Sequence, residues 1–224
     1  MKRYFSKGEL ALWFGSALVI IAFFCLFDRV NYLTLAASLI GVTSLIFNAK
    51  GNPVGQFLMI IFSIIYGVIS FSFAYYGEML TYLGMTLPMA VFSLISWLRH
   101  PYHGNKAEVA IKELTRKEWV RMWIFAFFIT GIFYFILKAF HTANIIPSTI
   151  SVTTSFLAVY LTFMRNPYYA IGYAANDLVL IVLWTLATFE SISYLSVTVC
   201  FVVFFVNDLY GFVNWNRMKK RQAL

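Results

Sequence analysis

The sequence predicts an all-α integral membrane protein of about eight transmembrane helices, organised as two parallel four-helix repeats. Three observations carry this. Hydrophobic residues fill 61% of the 224 positions and charged residues only 12%, against roughly 25% charged in an average soluble domain. The apolar residues gather into stretches long enough to cross a bilayer, about 20 residues each. The basic residues fall almost entirely on one side of those stretches, as the positive-inside rule requires.

The stretches lie at about 10–27, 32–48, 55–75, 79–98, 119–140, 145–164, 168–189 and 192–214, each near the length a span needs. Asp28-Arg29 closes the first, and Lys50-Gly51-Asn52-Pro53 separates the second from the third. Gly77-Glu78 punctuates the third and fourth, and Arg99-His100-Pro101 ends the fourth. Pro88 inside span four and Pro147 early in span six read as kinks. A mixed-charge linker over 101–118 follows and suits a short amphipathic helix. Arg165-Asn166-Pro167 and Glu190-Ser191 mark the last two boundaries. The domains are therefore a first repeat over 1–100, a cytoplasmic linker over 101–118 and a second repeat over 119–224.

With eight spans, both termini and every second loop share a side. That side holds fifteen of the 17 Lys and Arg, from Lys2, Arg3 and Lys7 to Arg217, Lys219, Lys220 and Arg221; the other holds Arg29 and Lys138. The asymmetry puts both termini in the cytoplasm, and adding or dropping a span would scramble it. Met1-Lys2-Arg3 before an apolar run resembles a signal peptide, but no small-residue cleavage site follows before Asp28. The net charge of +8 forms no continuous stripe, so no nucleic-acid partner is expected. Cys25 and Cys200 read as small buried hydrophobes. His100, His103 and His141 lack metal spacing, and neither metal nor cofactor is expected.

Ordered landmarks recur between the halves. Ser6-Lys7-Gly8-Glu9 pairs with Thr115-Arg116-Lys117-Glu118, and Val42-Thr43-Ser44-Leu45 with Thr153-Thr154-Ser155-Phe156. Asn52-Pro53 pairs with Asn166-Pro167, and Ser96-Trp97 with Asn214-Trp215. Four spans per half make the repeats parallel, with a pseudo-twofold axis along the membrane normal.

Polar groups inside spans are expensive unless paired or facing water, so they mark candidate sites. Asn176 and Asp177 lie in span seven; Asn207 and Asp208 lie in span eight. Asn207, Tyr210 and Asn214 share one helical face, as do Tyr173, Asp177 and Trp184. Carried back by 114 residues, Asn176 and Asp177 fall on Phe62 and Ser63. That difference suits an asymmetric ligand near the axis. The candidate substrate-binding residues are Asn176, Asp177, Trp184, Asn207, Tyr210, Asn214, Trp215, Tyr173 and Gln56. Aromatic rings stack on a flat ligand, amides bond its hydroxyl or carboxamide groups, and an acid balances positive charge. The bland alternative is that these groups tie spans seven and eight together. No hydrolase or nucleotide-binding motif is present, so no enzyme is expected. An intramembrane enzyme using Asp177 and Asp208 would need both carboxyl groups to converge, and helical direction argues weakly against that. A scaffold or sensor subunit is the third class.

The segment from Gly41-Val42 to Ala49-Lys50-Gly51 resembles one that ends a helix in the PnuC-type vitamin transporters. The polar pair of span seven, the Trp-terminated span eight and the basic C-terminal tail are similar too, and the resemblance covers nearly the whole chain. It implies facilitated diffusion of nicotinamide riboside, made one-way by a cytoplasmic kinase that phosphorylates it. It also implies a bacterial inner (plasma) membrane location, a homotrimer, and a fold related to the SWEET transporters: a 3+1+3 core plus an extra N-terminal helix. One departure stands out: the family often has a spaced Trp pair early in span seven, where this chain has Tyr168, Tyr169 and Tyr173. Relatives that carry thiamine or riboflavin differ in this region, which makes those vitamins the alternative ligands.

Overall fold

A computed structural model of the chain describes residues 4–72, 76–142 and 144–223. Lys2 and Arg3 of the charge count, and the end of the third stretch at 73–75, lie outside the described residues. Among the described residues eight helices are long and apolar enough to span a membrane. They are α1 (Lys7–Asp28), α2 (Tyr32–Ala49), α3 (Pro53–Ser72), α4 (Tyr76–Arg99), α5 (Arg116–Ala139), α6 (Ile145–Phe163), α7 (Tyr169–Thr188) and α8 (Ile192–Gln222).

The first helix of each half starts with the same device. In α1 the Ser6 hydroxyl accepts from Glu9 N (3.2 Å) and Glu9 accepts from Ser6 N (2.6 Å). In α5 the Thr115 hydroxyl accepts from Glu118 N (3.3 Å) and Glu118 accepts from Thr115 N (2.8 Å). Each is a capping box, satisfying two backbone donors that the first turn leaves free. The Asn-Pro turns match as well. Gly51 and Arg165 take left-handed φ values of 65° and 58°. Asn52 N and Asn166 N then donate back to Phe47 O and Leu161 O, both at 3.0 Å, as in a Schellman-type helix end.

At the basic end the two halves lock across each other. Trp215 Nε1 donates to Asn48 O at 2.8 Å, and Trp97 Nε1 donates to Thr162 O at 2.9 Å. Asn214 Nδ2 donates to Ala49 O (2.7 Å), and Ser96 Oγ to Phe163 O (3.1 Å). The last carbonyls of α2 and α6, which lack a helical partner at the helix end, thus receive side-chain donors from α8 and α4 respectively; Asn48 O and Thr162 O also accept from Gly51 N and Arg165 N. Both tryptophans are buried, and their ring centroids meet at 5.4 Å.

These contacts relate α2 to α6 by 114 residues. The α2 and α6 helices are unbroken, and a continuous helix cannot absorb a three-residue shift without a bulge. Pairing Val42–Leu45 with Thr153–Phe156 therefore slips by one turn. The structural partner of Ser155 is Gly41.

Within each half the second and third helices approach closely. A Cβ on Gly55 of α3 would meet Asn48 N at 2.6 Å, and one on Gly172 of α7 would meet Ala158 Cα at 2.8 Å. Such backbone contact is a common way for helices to associate in lipid. The outermost helices, α1 and α5, bury least of their surface. On α5, Trp123, Phe125, Phe127 and Phe128 point outward, where hydrocarbon is the natural solvent.

Two expectations are corrected. The linker is not a helix: Pro101–Tyr102 and Asn105–Val109 form an antiparallel hairpin, β1 and β2. His103 and Gly104 take φ values of 47° and 78°, the two-residue turn that suits a hairpin. The linker then joins both halves, Val109 N donating to Gly51 O and Lys112 N to Arg165 O. Cys25 is exposed at the end of α1, whereas Cys200 is buried. Among the described residues no cluster of metal-ligating groups occurs.

Proline has different effects at its two intramembrane positions. Pro147 lies in the first turn of α6, where a missing N–H costs nothing. Pro88 lies within α4 and cannot donate to the preceding turn. There the helix widens into a π-helical turn over Tyr82–Thr86, a distortion frequent at functional sites.

Candidate ligand-binding cavity

The centre of the bundle contains a cavity lined by every helix except α1 and α5. Gly41 and Leu45 come from α2, Met59 and Phe62 from α3, and Tyr82 and Thr86 from the π-helical turn of α4. Ser155 comes from α6, Tyr173, Asn176 and Asp177 from α7, and Phe201, Phe204 and Asp208 from α8. Four lining pairs are related by the same offsets as the helix-end contacts: Gly41 with Ser155, Met59 with Tyr173, Phe62 with Asn176, and Thr86 with Phe204. The gaps between these side chains total about 430 Å³, with water-sized room of only about 20 Å³. The conformation is closed, and a flat ligand enters only as side chains part.

Asn176 is held by α6. The hydroxyls of Ser151, Thr154 and Ser155 surround its Oδ1 at 2.9, 3.0 and 2.9 Å. With the carbonyl so engaged, the amide donors are left for the cavity. Asp177 and Asp208 are each 4% exposed, and their carboxyl groups face each other within hydrogen-bonding reach. Asp177 Oδ2 has no hydrogen-bond donor among the described residues. Among the described residues no Lys, Arg or His lines the cavity. Two buried acids without a cation are costly in a membrane interior and mark a functional site. The helical-direction argument against convergence is thereby corrected: the two carboxyl groups do meet.

Aromatic rings wall the opposite part of the cavity. Phe62 stacks on Tyr66 at 5.4 Å and meets Tyr82 and Phe204 edge-on, both at 5.8 Å. Tyr66 and Tyr82 lie 4.5 Å apart, and Phe201 meets Tyr66 at 90°. Ring faces and carboxylates together suit a flat cation.

Of the residues singled out in the sequence, the cavity brings together Tyr173, Asn176, Asp177 and Asp208. Trp184 is one layer away, its Nε1 donating to Tyr66 Oη at 2.9 Å. The face shared by Asn207, Tyr210 and Asn214 packs on α1 and α2 instead. Asn207 Nδ2 donates to Ser16 Oγ (2.9 Å) and Val203 O (2.8 Å). Tyr210 donates to Glu9 Oε1 (2.9 Å), which also accepts from Lys50 Nζ (2.9 Å). Asn214 and Trp215 cap α2, and Gln56 Nε2 donates to Asn48 Oδ1 at 2.8 Å. None of these five lines the cavity. Sequence reasoning missed Phe62, Tyr82, Thr86, Phe201 and Phe204. With 24 Phe and 14 Tyr in the chain, nothing in the sequence singles out the aromatic ones.

An eight-helix membrane bundle that closes on a buried acid-and-aromatic cavity is the architecture of a small-molecule membrane transporter. The family model described as "Nicotinamide mononucleotide transporter" matches residues 31–217, and the chain belongs to that family. It is similar to the nicotinamide riboside transporter PnuC of Neisseria mucosa, 27% identical over 220 residues, covering 95% of this chain and 82% of that one. The protein of the same name from Haemophilus influenzae is 22% identical over 192 residues, covering 85% and 82%. A solved structure, the crystal structure of the vitamin B3 transporter PnuC, superposes with a TM-score of 0.85 at 22% identity, covering 97% of this chain and 94% of that one.

Proposed function

We propose that this chain carries nicotinamide riboside across the bacterial inner membrane by facilitated diffusion. Net uptake is then drawn inward by cytoplasmic phosphorylation of the nucleoside. The observation that carries the reading is the Asp177–Asp208 pair in an aromatic cavity that no basic residue lines among the described residues. A pyridinium nucleoside is flat, cationic and rich in hydroxyl groups, so it meets rings, carboxyl groups and the Asn176 amide in one place. The same charge argument favours the riboside over the mononucleotide. A phosphate adds about −1.5 to −2 charges at neutral pH, and the cavity offers it two acids and no cation. Riboflavin lacks the positive ring, whereas thiamine has one.

The positive-inside count supports both termini in the cytoplasm. The matched capping boxes, Asn-Pro turns and Trp bonds support two duplicated halves, 1–100 and 119–224, joined by the linker. The family resemblance supports the SWEET-like 3+1+3 core and the homotrimer.

Titration of the purified protein, followed by Trp fluorescence and calorimetry, tests the ligand. Nicotinamide riboside should bind, and its mononucleotide should bind at least tenfold more weakly, about 1.4 kcal/mol. The ligand should be recovered chemically unchanged, which separates a transporter from an intramembrane enzyme. Preference for thiamine, or equal binding of the phosphorylated form, would overturn the assignment.

A further inference from the structure

A second pocket, of about 20 Å³ and as closed as the central one, lies at the end of the bundle opposite the basic one. Glu78, Thr142, Asn144, Ser148 and Trp184 line it. Glu78 is partly buried, and its Oε2 accepts from Tyr66 Oη at 2.7 Å. Tyr66 Oη in turn accepts from Trp184 Nε1. The Tyr66 ring packs on Phe62 and Tyr82, both of which line the central cavity. The two pockets are therefore separated by one layer of side chains, Tyr66, Tyr82 and Trp184, with Glu78 on its outer face. The outer pocket repeats the chemistry of the inner one: a carboxyl group, a large ring, an amide and hydroxyls, and, among the described residues, no Lys or Arg.

We propose that Glu78, with Thr142 and Asn144 beside it, forms an outer subsite that opens to capture a cationic aromatic nucleoside before the layer of Tyr66, Tyr82 and Trp184 parts to admit it. This rests on the ligand class inferred for the central cavity. A cleft of one charge sign with low-dielectric walls raises the local concentration of an oppositely charged ligand and its on-rate. The subsite lies outside the final binding position. It therefore changes the rates of association and dissociation together and leaves the equilibrium affinity of the cavity unchanged.

Stopped-flow Trp fluorescence with nicotinamide riboside tests this on the full chain. Glu78→Gln keeps the shape and the acceptor for Tyr66 but loses the charge. Its association and dissociation rates should both fall on the order of tenfold, with Kd within about twofold of wild type. Glu78→Asp, which retains the charge, should associate at near the wild-type rate even if the shorter side chain releases Tyr66. Unchanged rates in Glu78→Gln would overturn the subsite. So would a raised Kd with a lowered melting temperature in both variants, which would make Glu78 a structural support for Tyr66. If wild-type protein binds no pyridinium nucleoside, the central assignment fails first. If wild type binds and Glu78→Gln behaves identically, only the outer subsite fails.

Discussion

Replacing Asp177 by Asn is expected to weaken nicotinamide riboside binding by roughly tenfold to 150-fold, the range of about 1.5–3 kcal/mol for a hydrogen bond to a charged group. The same substitution should leave the ligand-free protein at least as stable as wild type. Asp177 is 4% exposed, its Oδ2 has no donor among the described residues, and its neighbour is a second acid. A buried group in that position costs stability until a ligand arrives to balance it. Affinity from calorimetry and ligand-free melting temperature should thus move in opposite directions. Retained affinity with a lower melting temperature would mean that the acid pair holds α7 against α8 and does not recognise ligand.

Truncating Trp215 to Ala should do the reverse. The side chain is fully buried, its Nε1 caps Asn48 O, and its ring packs on Trp97 and on Tyr169 at 4.8 Å. Removing it leaves a large void and takes one of two donors from the Asn48 carbonyl, which keeps Gly51 N, at a cost of about 3–5 kcal/mol for a buried Trp. Ligand affinity in the folded protein should stay near wild type. Trp97→Ala should cost a similar amount, because Trp97 makes the equivalent bond to Thr162 O. Trp215→Phe separates the roles further. If it keeps the melting temperature but loses affinity, Trp215 touches ligand after all.

The bundle was legible in the sequence because the bilayer imposes so few solutions. A segment of apolar residues about 20 long must be a helix, and the segment ends sit beside Asn-Pro, Gly-Glu and Arg-His-Pro groups. Half of the site was legible for a related reason. Asn176 and Asp177 are conspicuous inside an apolar span, and they line the cavity. The rest was hidden by rotation. Asn207 and Asp208 are adjacent, so they point about 100° apart on α8; Asp208 meets Asp177, while Asn207 meets α1. Composition does not reveal which neighbour each face has. The aromatic wall was hidden by abundance, since most rings in this chain face lipid or other helices. Glu78 was hidden by its place at a predicted span boundary, where an acid reads as loop punctuation. The linker was misread because its charges suggest an amphipathic helix, while the decisive signal was the His103-Gly104 turn after Pro101.

The central claim is that the paired acids select a positively charged ring. The most direct test is calorimetric titration of wild-type protein with nicotinamide riboside and with its reduced counterpart, in which the ring is uncharged and the ribose is the same. The acid pair predicts that the cationic form binds at least tenfold more tightly, about 1.4 kcal/mol, and that this preference disappears in Asp177→Asn. Equal affinity for the two forms in wild type, or a preference for the uncharged ring, would contradict it.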